Sequence, residues 1–172
     1  EQKNTSKNPR STVATVTEIY DYMRVLYARA GIPFSPFTGK PIESQTVSQI
    51  VDKIKQLPKK TTIYLYAPIV RGRKGEYKKE ILAYKKRGFR KIKIDEVLYE
   101  IEKVPELNKK VKHDISILVD RIVLNSSLGN RLAESIETSI NLANGLLFVE
   151  YEDETLPKKF RKLEKLIFST KF

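Results

Sequence analysis

His113 is the only histidine of the chain, and there is no cysteine. A general base needs a placed nucleophile and an orienting partner, and no serine motif surrounds His113 in a recognisable arrangement. Without thiolates there is no disulfide, no thiolate nucleophile and no thiolate metal site, and no second ligand set accompanies the histidine. His113 therefore reads as a structural or surface residue at the start of a strand. The acidic pairs Asp95/Glu96 and Glu100/Glu102 fall in short alternating segments, where exposure to solvent is the ordinary outcome. Residues 31–41 (GIPFSPFTGKP) superficially suggest a phosphate-binding loop, but seven residues separate Gly31 from Gly39, too many for that loop, and Pro41 stands where a hydroxyl must reach magnesium. Catalysis has no visible centre here, which leaves binding.

Charge supplies the binding signal. Residues 53–93 hold 15 Lys or Arg against Glu76 and Glu80, a local excess of +13, while the other 18 basic and 19 acidic residues leave −1 of the net +12. Such a field draws in an anionic partner without distinguishing nucleic acid from an acidic protein surface. The bland alternative is a solvated lysine surface that serves solubility. A direct nucleic-acid reading would want bases stacked on the tyrosines of this stretch, but Tyr64, Tyr66, Tyr77 and Tyr84 are spaced for helix and strand cores.

The elements that must carry these residues follow from periodicity. Residues 1–10 read as an extended lead-in, after which Val13, Val16, Tyr20, Met23, Tyr27 and Ala30 recur at steps of three and four, predicting one helix with a core-facing stripe. Ser11 or Thr12 can cap it, Thr15 and Glu18 fit a capping box a turn later, and Gly31 with Pro33 ends it. Residues 31–44, with three prolines and Gly39, form a loop and a domain boundary. Val47, Ile50, Val51, Ile54 and Leu57 make a short amphipathic helix closed by Pro58. Residues 61–70 (TTIYLYAPIV) are a strand in which Pro68 marks an edge or the end, and 71–75 (RGRKG) a basic turn. A helix over 77–87 stops at Gly88, and 89–94 and 97–101 form a hairpin around Asp95 and Glu96. After a polar connection over 105–112 come the strand 115–124 (ISILVDRIVL), a helix through Leu128, Leu132, Ile136, Ile140 and Ala143 capped by Ser126 or Ser127 and stopped by Gly145, and a strand over 146–151. The tail reads as a linker, a basic amphipathic helix over 157–165 and an alternating strand belonging to a neighbouring domain. This order implies an α+β fold, a mixed β-sheet packed with helices and preceded by a long helix arm. No apolar run approaches a membrane span and no signal segment opens the chain, so the cytoplasm is expected. The opening at Glu1 and the stop at Phe172 suggest an excerpt from something larger.

Period-two geometry sends Lys91 and Lys93 to one side of the hairpin strand and Ile92 and Ile94 to the other. Arg121 lies inside an apolar run, so it either pairs, with Asp120 or an acid on a neighbouring strand, or faces a surface. In the second case Lys91, Lys93 and Arg121 form a basic platform, with Arg90 beside it and Arg71, Arg73 and Lys74 extending it from the turn after the first strand.

Four stretches in this order carry a resemblance: NPRSTVATVTEIYDYMRVLYARAG, APIVRGRKGEYKKE, KKVKHDISILVDRIVL and RLAESIETSINLANGLLFVE. Together they span residues 8–150 and resemble the first half of the UvrA family, the damage-recognition ATPases of bacterial nucleotide excision repair. The resemblance implies that 1–44 is a helical arm and loop from the first ATPase half and its signature region, that 45–150 docks UvrB, and that 151–172 is a linker and return strand toward the signature region. It implies a parent that binds ATP and DNA, is a homodimer and serves an excision nuclease of the SOS response, while the Walker A loop and ABC signature lie outside both ends. The chain itself is then expected to be no enzyme and to hold no cofactor, with direct electrostatic DNA binding as the alternative to docking. Many relatives carry Cys-Pro-x-Cys-Gly, half of a zinc cluster, where this chain has Ser35, Pro36, Phe37, Thr38 and Gly39; hydroxyls do not replace thiolates on zinc, so no metal is expected. A family Asp-Gly turn is Asp95-Glu96 here, and glutamate resists positive φ, which leaves the turn type open but not the hairpin.

Overall fold

The computed structural model describes residues 18–32, 34, 44–125, 128–152 and 163–171, distributed over two compact units, Glu1–Ile42 and Glu43–Phe172. In the first, α1 (Ile19–Ala30) ends where Gly31 turns extended, its N–H still bonded to the Tyr27 carbonyl at 3.0 Å. The expected start at Val13 and its caps Ser11, Thr12 and Thr15 lie outside the described residues. The stripe exists but does not face a core: Tyr20, Met23 and Tyr27 are 55%, 44% and 66% exposed, and no residue of α1 is buried.

The second unit opens on Thr46, whose hydroxyl accepts the Gln49 N–H while the Gln49 side chain accepts the Thr46 N–H, a reciprocal cap for α2 (Val47–Lys55). Next come β1 (Thr62–Lys74), α3 (Lys78–Lys86), β2 (Lys91–Ile94), β3 (Val97–Glu100), a 3-10 turn (Ile101–Lys103), β4 (Lys112–Val123), α4 (Arg131–Leu142), β5 (Leu146–Glu152) and β6 (Leu163–Ser169). The α+β class holds. The sheet, expected to be mixed, has order β3-β2-β4-β1-β5-β6, and every described pairing is antiparallel. Element order predicts crossovers but not intercalation: β1 and β2 run the same way across α3, yet β4 inserts between them, as β1 does between β4 and β5. This split β-α-β topology is that of ferredoxin-like sheets, widened by β3 at one edge and β6 at the other. No described helix is long and apolar enough to cross a membrane.

Two apolar clusters hold the helices on one sheet face. One joins Ile50 and Ile54 of α2 and Leu132 and Ile136 of α4 to Ile63, Leu65 and Ile122, and the other seats Ile81 of α3 on Ile92, Ile94, Ile115 and Ile117. The return strand expected to leave for a neighbouring domain is part of this sheet: β6 pairs with β5 from Leu146↔Ser169 to Glu152↔Leu163, and its Phe168 is buried in the first cluster. Leu163–Lys165 is therefore strand where the tail's basic helix was expected; the rest of that helix lies outside the described residues.

Two further expectations are resolved along β1. Pro68 does not end the strand, which runs on to Lys74, but it does mark an edge: β5 pairs with β1 only from Ile63 to Tyr66, so at Pro68 one side of β1 has no described strand, and a residue without an N–H is tolerated there. The supposed basic turn 71–75 is largely strand, since Arg73 and Lys74 pair with His113 and Lys112, and Gly72, at φ +56, donates its N–H to Asp114 Oδ1 at 2.7 Å. Register shifts between Val70 and Arg73 accommodate that glycine, which is why the stretch looks turn-like in sequence.

Candidate functional site

Alternation along β1 sends Ile63 and Leu65 to the helices and Tyr64 and Tyr66 to the opposite face. Cross-strand register completes that face: Tyr64 lies beside Arg121 and Glu150, Tyr66 beside Leu118 and Phe148, Lys93 beside Ser116 and Leu98, and Glu150 and Phe148 beside Lys165 and Ile167. The structure thus brings Lys93 and Arg121 to one surface, with Lys91 following by alternation. On this side of the sheet Tyr64 is half-buried where a core position was expected, whereas Tyr66 is buried at 4% exposed, and Tyr77 and Tyr84 pack on the second apolar cluster as expected.

Lys93 is not a free cation. Its Nζ lies 2.6 Å from Glu150 Oε1, 2.8 Å from Glu96 Oε2 and 5.4 Å from the Tyr66 ring centroid, with its side chain 12% exposed and that of Glu150 5%. Burial alone would lower the Lys93 pKa, but the two carboxylates outweigh it and hold the ammonium above its ordinary value. Burial, reinforced by the Glu150 charge, pushes the Tyr66 phenol up to about 12. Lys93 and Glu150 come from strands separated by β4 and β1. At ~4.8 Å per strand that is roughly 14 Å of sheet, so both side chains must reach along the face, over the small Ser116.

Arg121 behaves differently. Asp120, one suggested partner, points to the helix side, where Arg131 Nη2 and Ser135 Oγ each donate to it at 2.8 Å. The Arg121 guanidinium instead lies over Tyr64, Cζ 5.8 Å from the ring centroid and Nε 3.4 Å from the hydroxyl, and remains exposed. Lys165 Nζ sits 4.3 Å from the Phe148 centroid and 3.5 Å from Glu96 Oε1. Lys91 is exposed opposite Glu100 and Arg90 is exposed just before β2, whereas Arg71, Arg73 and Lys74, expected to extend the platform, continue β1 past the end of its β5 pairing, where Arg73 and Lys74 pair with His113 and Lys112 and none of the three is in register with the rings. The surface is therefore an aromatic and aliphatic face with a neutralised ion pair at its centre and Arg121 and Lys165 stacked on rings. Glu150, Lys165 and Phe148 are absent from the sequence-based set. The Tyr64/Tyr66 alternation could have pointed to the face, but nothing local ties Lys165 to it.

The hairpin turn beside this face is the type left open by the sequence. Asp95 and Glu96 both take positive φ, 49° and 67°, as a two-residue turn of the I′ kind requires. Asp95 offsets its strain with bonds to β4: Oδ2 meets His113 Nδ1 at 2.7 Å, Oδ1 accepts the Asp114 N–H at 2.9 Å, and the Asp95 N–H donates to the Asp114 carbonyl at 2.9 Å. His113 is buried, and its Nε2 faces the Asn108 carbonyl at 3.1 Å, so both ring nitrogens meet acceptors. It is a structural clamp, and the Asp95 carboxylate raises its pKa. Asp95 is held below the ordinary range; its own burial pushes the other way, and the Asp114 N–H and His113 overcome it.

A group with a raised folded pKa stabilises fully below its unfolded value and loses that contribution as pH rises through the folded one; the depressed carboxylate does the reverse at acid pH. Stability should accordingly fall as pH climbs above the ordinary histidine range of ~6.5. In His113→Asn that slope should flatten, as read from urea midpoints across mildly acid to mildly alkaline buffers, and an unchanged slope would remove the clamp. Among the described residues no cluster of three His, Asp or Glu could hold a metal, and Ser35–Gly39 lies outside them.

An antiparallel α+β domain with helices on one sheet face and aromatic rings on the other is the class that the fold defines. Residues 45–153 match the UvrA interaction domain, and the chain belongs to that family. It is 56% identical over its whole length to the UvrABC system protein A of Mesorhizobium japonicum, 56% to that of Rickettsia felis, and 60% over 91% of its length to that of Brucella abortus. The chain spans 19%, 18% and 16% of those relatives.

Proposed function

We propose that this chain is the part of a UvrA-type ATPase that docks UvrB during nucleotide excision repair of DNA, through the helix-free face of the sheet. The supporting observation is the exposed Arg121 stacked on Tyr64 on a ring-lined surface whose central Lys93–Glu150 charges neutralise each other. Arginine and aromatic side chains in such settings dominate protein interfaces, whereas lysine is depleted there. An acidic, partly apolar patch on the partner is the complement. Nucleotide hydrolysis, DNA handling and dimerisation belong to the remainder of the parent, a cytoplasmic protein; this piece binds neither ATP nor zinc and is not an enzyme. The test is a calorimetric titration of UvrB into the chain at moderate and high salt. Saturable one-to-one binding that survives moderate salt supports the reading, and heat-silent mixing at both would end it.

A further inference from the structure

A second surface differs from the docking face in composition. Beyond Tyr66, β1 leaves β5 and continues against β4 as a ribbon that ends with Lys74 directly opposite Lys112 and Arg73 opposite His113. The turn before β4, closed by Val111 N–H to the Asn108 carbonyl at 3.0 Å, sets Lys109 and Lys110 next to that end. Arg71, Arg73, Lys74, Lys109, Lys110 and Lys112 are all exposed, and among the described residues none is in an ion pair.

The neighbouring carboxylates are committed elsewhere. Asp114 accepts the Gly72 N–H, Asp95 holds His113, Glu106 pairs with Lys78 at 2.7 Å, and the field of Glu76 falls on Lys78. Like charges directly opposite across an antiparallel pair destabilise it, so the Lys74–Lys112 juxtaposition works against the fold unless an anion covers it.

Four of the six cations are lysines; the ring beside them, Tyr77, is already engaged, its hydroxyl donating to the Lys74 carbonyl at 3.1 Å and its side chain packed on the second apolar cluster, and among the described residues Val111 is the large exposed apolar neighbour. Protein interfaces select against that composition, membrane surfaces add apolar side chains to insert, and single strands need rings to stack bases. A duplex backbone needs only cations and backbone donors. We infer that this ribbon end contacts the sugar-phosphate backbone of a nucleic-acid duplex, separately from the sheet face that docks protein.

The test uses the 172-residue chain, a fluorescein-labelled DNA duplex and anisotropy over a salt series. Replacing Lys74, Lys110 and Lys112 with Ala should weaken duplex binding at low salt by at least about tenfold and reduce the slope of log affinity against log salt by roughly two to three. The charge-matched replacement of Lys53, Lys55 and Lys59 with Ala should leave both near wild type, and the pair Arg71→Gln and Arg73→Gln should repeat the loss. Melting temperatures should be at or above wild type in the Lys74, Lys110 and Lys112 variant, which relieves the Lys74–Lys112 repulsion, and near wild type in the others, with UvrB affinity unchanged throughout. Equal losses in the lysine triples would reduce the effect to net charge and overturn the inference. So would absence of duplex binding by the wild type, retention of phosphatidylserine vesicles in place of duplex, or loss of UvrB affinity in the ribbon variants.

Discussion

Arg121→Glu should weaken UvrB binding by about 100-fold, or about 2.7 kcal/mol, the range of a central interface arginine. Arg121 is exposed yet already ordered, its guanidinium resting on Tyr64, so little side-chain entropy remains to be lost when a partner carboxylate arrives. Tyr64→Ala should share that loss by releasing the arginine, and the double variant should fall short of the sum because the two act together. Lys91→Glu, exposed opposite Glu100, should cost only a few-fold and mainly slow association at low salt. Surface-immobilised UvrB and a dilution series of each variant separate these outcomes. Wild-type affinity in Arg121→Glu would take the sheet face out of the interface.

Glu150→Ala should destabilise the fold by about 3 kcal/mol, the lower end of what breaking a buried pair costs, because Glu96 still offers Lys93 a second acceptor. The loss arises from leaving an ammonium with a 12% exposed side chain short of a partner. Replacing both members, Lys93→Met with Glu150→Leu, should return most of that stability, since a packed apolar pair avoids the desolvation of two ions. Urea unfolding of the two variants decides the matter. A double variant as unstable as the single would show that the pair contributes more than mutual neutralisation.

The alternation KIKI is legible in the sequence and places Lys91 and Lys93 on one side, as ISILVDRIVL marks Arg121 as a charge needing an outlet. Their electrostatic states are not legible. Of the two acids that neutralise Lys93, Glu96 is three residues on, but the buried one, Glu150, lies 57 residues away and three strands across the sheet, and only the intercalation of β4 and β1 brings it to Lys93. Arg121 finds a tyrosine ring rather than the adjacent Asp120 because neighbouring residues on a strand face opposite sides. The Asp95-Glu96 turn is similar: its positive φ values run against the propensity of glutamate, and long-range bonds to β4 hold Asp95 in place. Local pattern specified the elements and the side each residue takes, while partners across strands depended on a topology that element order leaves open.

The addition of β6 determines where this polypeptide can be cut. The UvrA interaction domain match closes at residue 153, before β6 begins. A truncation there would strip Phe168 from the interior and leave the β5 backbone as a bare, apolar-flanked edge over seven residues, from Leu146 to Glu152. Such a piece should precipitate or form strand-exchanged oligomers, whereas one carried through Lys171 should stay monodisperse on a sizing column.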